Sequence, residues 1–233
     1  MKLFCFPYGG GSASIFTKWK PFIGSEIQLK AIELAGRGRR IDEAFYTDFD
    51  ALIKDVLCLI KKDIEVEKYV LFGHSFGAKI AFELAREINA IGLPGPRHIF
   101  FSGRGAPYTP GKNEKNYDDL TDDEFINELL EIGGTSDDFF KQSELLNIFL
   151  PILRSDFKLA ERGEVENKKI IPLDGDITIF LGKEDDLTPE QVDNWKYYTE
   201  GICTIHYFSG GHFFINDQYR KVISKIKDII TRI

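Results

Sequence analysis

An α/β domain, with helices on both faces of a mostly parallel sheet, is the fold class that this sequence predicts, and three observations carry it. Short apolar runs of strand length alternate with stretches of helical periodicity, the pattern of strands buried on both faces. A length of 233 residues fits one large domain. A content of 43% hydrophobic and 13% aromatic residues supplies a substantial core and excludes a disordered chain.

The elements follow in order. KLFCF (2–6) is a strand, followed by a glycine-rich turn and a helix around Ile15 to Ile23. IQLKAIEL (27–34) is the second strand and DFDALIKDVLCLIKKDI (48–64) a helix, with Leu52, Val56, Leu59 and Ile60 on one face by 3.6-residue periodicity. KYVLFG (68–73) is a strand, with its helix from Ser75 to about Ile88. In that helix Ala78, Ala81, Phe82 and Ala85 line one face, and Lys79, Glu83 and Arg86 the opposite one. RHIFFSG (97–103) is the next strand. Residues 107 to about 168 then lack a convincing strand. Thr121 and Glu124 form a capping-box pattern for a helix at 122–132, GGT (133–135) breaks it, and helix resumes over 143–162, where Pro151 predicts a kink or restart. Helical sequence inserted between two strands reads as a lid over the sheet edge, within a single domain spanning 1–233. Alternation returns with ITIFLG (177–182), a helix near Pro189 to Thr199, CTIHYF (203–208) and a last helix from Ile215 to Ile230.

A net charge of −7 and a pI near 5.2 argue against nucleic acid as a main partner. Cys5, Cys58 and Cys203 are scattered without CxxC spacing, against structural zinc or a disulfide framework, and Cys5 and Cys203 lie in apolar runs as core residues. The N-terminal apolar stretch is too short for a signal-peptide core, and nothing approaches a membrane run of about 20 residues. The expectation is a cytoplasmic protein without metal or cofactor.

Gly73-His74-Ser75-Phe76-Gly77 matches G-x-S-x-G, which places a nucleophilic serine on a sharp turn between strand and helix. By composition this pattern arises by chance in roughly a tenth of chains this long, so its specificity comes from the strand before it and the helix after it. Of four histidines, His74 reads as a packing or hydrogen-bonding residue, and His98 and His206 as structural. His212 follows a strand and two glycines in FSGGHFFI and comes last, as the serine–acid–histidine order requires. The acid should come from GKEDDL after a strand; Asp185 is preferred over Asp186. An oxyanion would be held by the backbone N–H of Phe76 and by one from FPYGGGSAS (6–14), with Gly9 favoured and Tyr8 and Gly10 as alternatives. The GGGS run lacks the lysine of a phosphate loop.

Taken together, these residues resemble the stand-alone type II thioesterases that accompany nonribosomal peptide and polyketide synthases. FPYGGGSASIFTKW is similar to the family's P-x-A-G-G-S opening, with Gly9 where alanine is usual. ELAGRGRR (33–40) resembles its L-P-G-R-x-x-R stretch, with Ala35 where proline is commoner. GHSFGA resembles its serine turn, and LTDDEFINELLEIGGTSDDFF with LLNIFLPILRSDFKLAE its lid. LGKEDDLTPEQVDNW and FSGGHFFI resemble its acid and histidine loops, and the former assigns the acid to Asp185. The resemblance implies the α/β-hydrolase fold and a Ser75–His212–Asp185 triad. The implied activity removes misprimed or stalled acyl groups from the phosphopantetheine arm of acyl- or peptidyl-carrier proteins. The enzyme is expected to act as a monomer, with neither nucleic acid nor membrane as partner. Fatty-acid-synthase thioesterases share several of these motifs.

Phe125, Leu129, Leu130, Phe139, Phe140, Phe149 and Leu153 are candidates for an acyl pocket or for plain packing of the lid. Because the chain is itself acidic, steering of an acidic carrier would need a local basic patch, for which Arg37, Arg39 and Arg40 are candidates. The alternatives are a carboxylesterase or lipase acting on small acyl esters, an acyltransferase, and a non-catalytic binding module on the same fold.

Overall fold

Six strands, all parallel, form one sheet in a computed structural model that describes residues 1–110, 116–134, 139, 142–161 and 170–233. The strands are β1 (Lys2–Phe6), β2 (Gln28–Ala31), β3 (Tyr69–His74), β4 (Ile99–Ser102), β5 (Ile177–Gly182) and β6 (Cys203–Phe208), ordered 2-1-3-4-5-6. β1, β3, β4 and β5 are buried throughout, which is why their sequences are nearly continuous apolar runs. The edge strands β2 and β6 are more exposed and more mixed. The second strand is shorter than its apolar run predicts, yet Ile32 still hydrogen-bonds to Cys5 O and Leu34 is buried.

Alternate strand residues feed two cores. Phe4, Leu71, Phe101 and Ile179 pack with α2 (Phe49–Ile64) and α3 (Phe76–Ala90). Leu3, Val70, Phe72 and Phe180 pack on the other side with Phe16, Trp19, Ile23 of the short helix α1 (Lys20–Ile23) and the C-terminal helix. Asp48 caps α2 by accepting the Ala51 N–H. This helix buries Leu52, Ile53, Val56, Ile60 and Ile64, whereas Leu59, expected inside, sits at the edge of the stripe and is 48% exposed. In α3, Lys79 is not on a solvated face: it is buried, donates to the Leu159 and Ala160 carbonyls and lies over the Phe49 ring.

Among the described residues of 107–168 there is no strand. The described helices there include the 3-10 turn Tyr117–Asp119, α4 (Asp122–Ile132), with both capping-box bonds between Thr121 and Glu124 formed, and α5 (Ser143–Glu161). Pro151 lies inside α5 and the helix runs through it without a restart. The C-terminal half of α5 is held by contacts beyond the insertion: Leu159 belongs to the sheet core and Lys79 donates to the carbonyls at its end. Helix α6 (Pro189–Asp193) continues as a 3-10 turn to Tyr198, and the last expected helix is two, α7 (Phe214–Asp217) and α8 (Tyr219–Ile230).

The strand order reverses at β1 and β3. The loops leaving their carboxyl ends therefore diverge and open a crevice, the usual place for a site in a sheet of this type.

Candidate active site

Ser75 occupies the corner after β3, with φ 53° and ψ −111°, a left-handed conformation for a non-glycine residue. Close backbone approach explains its glycine neighbours. A Cβ on Gly73 would lie 1.9 Å from Gly77 O, and one on Gly77 would lie 2.2 Å from Phe6 O. The corner is pinned by the Ser75 N–H donating to Ser102 O at 2.7 Å. The Ser75 side chain makes no helix cap, and its Oγ lies 2.9 Å from His212 Nε2.

His212 Nδ1 is 3.2 Å from each Asp185 carboxylate oxygen, so the proton on Nδ1 is shared across the carboxylate and Nε2 is left to accept from the serine. The neighbouring Glu184 and Asp186 are exposed. The acid and histidine loops are joined directly: Glu184 N–H donates to Gly210 O at 3.1 Å, and Lys183 N–H to Phe208 O at 2.9 Å. Gly182 ends β5 because a Cβ there would come 2.3 Å from Gly211 O.

Of the three candidates on the loop after β1, Gly10 has its N–H committed to Asp156 Oδ2 at 2.7 Å. The Gly9 and Phe76 N–H groups have no partner among the described residues. A hydroxyl beside an imidazole that is itself held by a carboxylate, with uncommitted N–H groups on adjoining loops, has the parts required for acyl transfer.

The thioesterase-domain family model matches residues 1–230. The chain belongs to that family. The Gramicidin S biosynthesis protein GrsT of Aneurinibacillus migulanus is 35% identical over 224 residues, covering 96% of this chain and 86% of its own. The medium-chain S-acyl fatty acid synthase thioesterase of Rattus norvegicus is 31% identical, covering 92% of this chain and 81% of its own. The crystal structure of ClbQ from the colibactin NRPS/PKS pathway superimposes with a TM-score of 0.91 at 32% identity, over 99% of this chain and 97% of its own. The parallel sheet and these neighbours give the α/β-hydrolase fold.

In this thioesterase His74 and His98 lie inside the fold, whereas His206 is half-buried on the edge strand β6. His74 is fully buried, with Nδ1 2.8 Å from Ser102 Oγ and its ring packed near His212, and burial pushes its pKa well below the ordinary histidine value. His98 Nε2 is 2.8 Å from Thr178 Oγ1, and burial lowers its pKa to about 4. The insertion's apolar residues pack largely on one another. Phe125, Leu129 and Leu153 form a small core with Leu130 and Phe139 against it, while Phe139 and Phe149 rings lie 5.1 Å apart. Phe140 lies outside the described residues.

The expected basic patch does not form. Arg37 is buried in a two-pronged ion pair with Asp156, and Arg40 is tied to Glu43 and Asp55, which leaves Arg39 as the exposed member. Three arginines within four residues suggest one surface, but the turn sends them to different surroundings. Asp156 was missed as a functional candidate: its partners lie 119 and 146 positions away, with no spacing signal to connect them.

Proposed function

We propose that the chain is a thioester hydrolase that clears misprimed or stalled acyl groups from the phosphopantetheine arm of carrier proteins in a nonribosomal peptide or polyketide synthase. It would act in the cytoplasm as a monomer, under a lid formed by residues 107–168. The observation that carries the chemistry is the Ser75 Oγ to His212 Nε2 contact at 2.9 Å, with Asp185 on the other ring nitrogen. The gramicidin S relative and the colibactin-pathway neighbour support the carrier-bound substrate.

In the first step His212 takes the Ser75 proton as Oγ attacks the thioester carbonyl, and Asp185 stabilises the imidazolium. The Gly9 and Phe76 N–H groups receive the oxyanion. Collapse breaks the C–S bond, and His212 returns the proton to the pantetheine sulfur. Water, deprotonated by His212, then attacks the acyl-serine; the ester bond breaks and Ser75 recovers its proton, releasing the free acid. Leu129, Phe139, Phe149 and Leu153 are proposed to line the acyl path. The test is release of acyl groups from loaded carrier protein. Ser75→Ala should lower turnover by about 10⁴ to 10⁶-fold. Near wild-type release by that variant would remove the proposal, and ester turnover at or above carrier-thioester turnover would replace it with a general esterase.

A further inference from the structure

The glycine loop after β1 is held from outside. Asp156, on the inner face of α5, accepts the Gly10 N–H on Oδ2 at 2.7 Å. Arg37, on the loop after β2, donates Nη1 to the same oxygen at 2.5 Å and Nη2 to Oδ1 at 2.6 Å. Its Nη1 also reaches Gly11 O at 3.3 Å. The two side chains are 2% and 1% exposed. Leu153, one turn earlier on α5, fills the space beside Gly10, where a Cβ would meet its Cδ2 at 2.4 Å. The Phe157 ring stands 3.4 Å from where a Gly9 Cβ would be.

The loop needs such support. Gly10 has φ +76°, and a run of three glycines loses much conformational freedom when fixed. The loop's own backbone bond is Gly11 N–H to Tyr8 O at 2.9 Å. An oxyanion donor accelerates a reaction when it is already aimed before charge develops. A buried ion pair adds little net stability, because desolvation offsets the attraction. What this one adds is position.

We propose that Asp156 and Arg37 are positioning residues for the oxyanion hole: the Asp156 carboxylate, steadied by the Arg37 fork, fixes the Gly10 peptide so that the neighbouring Gly9 N–H faces the reacting carbonyl. The inner turn of α5 is then part of the site. This rests on the roles given above to Ser75 and Gly9.

The test compares two double variants of the full chain, with butanoyl-N-acetylcysteamine as the thioester probe. Arg37→Leu with Asp156→Leu removes both charges together and takes away the acceptor for Gly10. Arg37→Leu with Asp156→Asn also removes both charges but leaves an amide oxygen to accept that N–H. Loss of a whole oxyanion donor costs about 10² to 10³ in rate, so the double-leucine protein should lose about 10- to 100-fold in kcat with KM within about twofold. The leucine–asparagine protein should recover most of that loss. Wild-type kcat in both doubles, or equal loss in both, overturns the proposal. If the double-leucine protein does not fold, Arg37→Lys decides: it keeps the charge but not the fork, so kcat should fall at unchanged KM, and wild-type kcat overturns the proposal. Ser75→Ala separates the two levels. Turnover that persists there defeats the proposed function, whereas an inert Ser75→Ala beside fully active doubles defeats the positioning role alone.

Discussion

At the scale of the residue, the glycines around the site serve different ends, and substitution separates them. Gly77 faces Phe6 O with 2.2 Å for a Cβ, and that obstacle is backbone. Gly77→Ala must push β1 and α3 apart, and should cost about 3 kcal/mol in urea unfolding. Gly9 lacks a positive φ, and the nearest atoms to its added Cβ would be the Phe157 ring at 3.4 Å and Asp156 Cβ at 3.7 Å, both ordinary contacts. Gly9→Ala should therefore stabilise the chain, by about 0.4–1 kcal/mol in the same measurement, by restricting the unfolded loop. The sequence singled out Ser75, His212 and Asp185 by residue type and chain order, and the fold brings their side chains within hydrogen-bonding distance of one another. The Asp156–Arg37 pair was not legible there, since a tertiary contact between distant segments leaves no local periodicity.

At the scale of the element, strands were the most legible feature. A strand buried on both faces must be apolar at every position, and β3 and β5 are so throughout. Edges were less legible: β2 stops at Ala31 although its apolar run continues. Helix α5 shows why proline misleads. Pro151 is exposed and leaves the Asn147 carbonyl without its usual donor, yet Ile152, Leu153, Asp156 and Leu159 beyond it are all buried. Tertiary packing overrides the local penalty. Because the ring contributes little burial, Pro151→Ala should restore one helical bond and stabilise α5, by up to about 3 kcal/mol. Hydrogen exchange should show it as slower exchange of the α5 amides, and unchanged exchange would contradict it.

At the scale of the whole molecule, the parallel sheet sets the chain's response to acid. Burying every face of β3, β4 and β5 also buries the histidines at their ends, each as a neutral ring. His98, just before β4, is held to β5 through Thr178, and burial lowers its pKa to about 4, with Asp176 opposing the shift. His74, at the end of β3, is pushed down in the same direction, by burial first and then by the charge of His212. In the unfolded chain both would titrate near 6.5. Between those values the unfolded state binds more protons than the folded one, so stability rises with pH; it is full above about 6.5 and is lost as pH falls toward 4. For His98 alone the loss between pH 7 and pH 5 should be about 2 kcal/mol, and His74 adds to it with the same sign. Urea unfolding across that interval should show the decline, and His98→Leu should flatten the slope even if the unpaired Thr178 hydroxyl lowers stability at every pH. A slope as steep in His98→Leu as in the parent chain would place the acid sensitivity elsewhere.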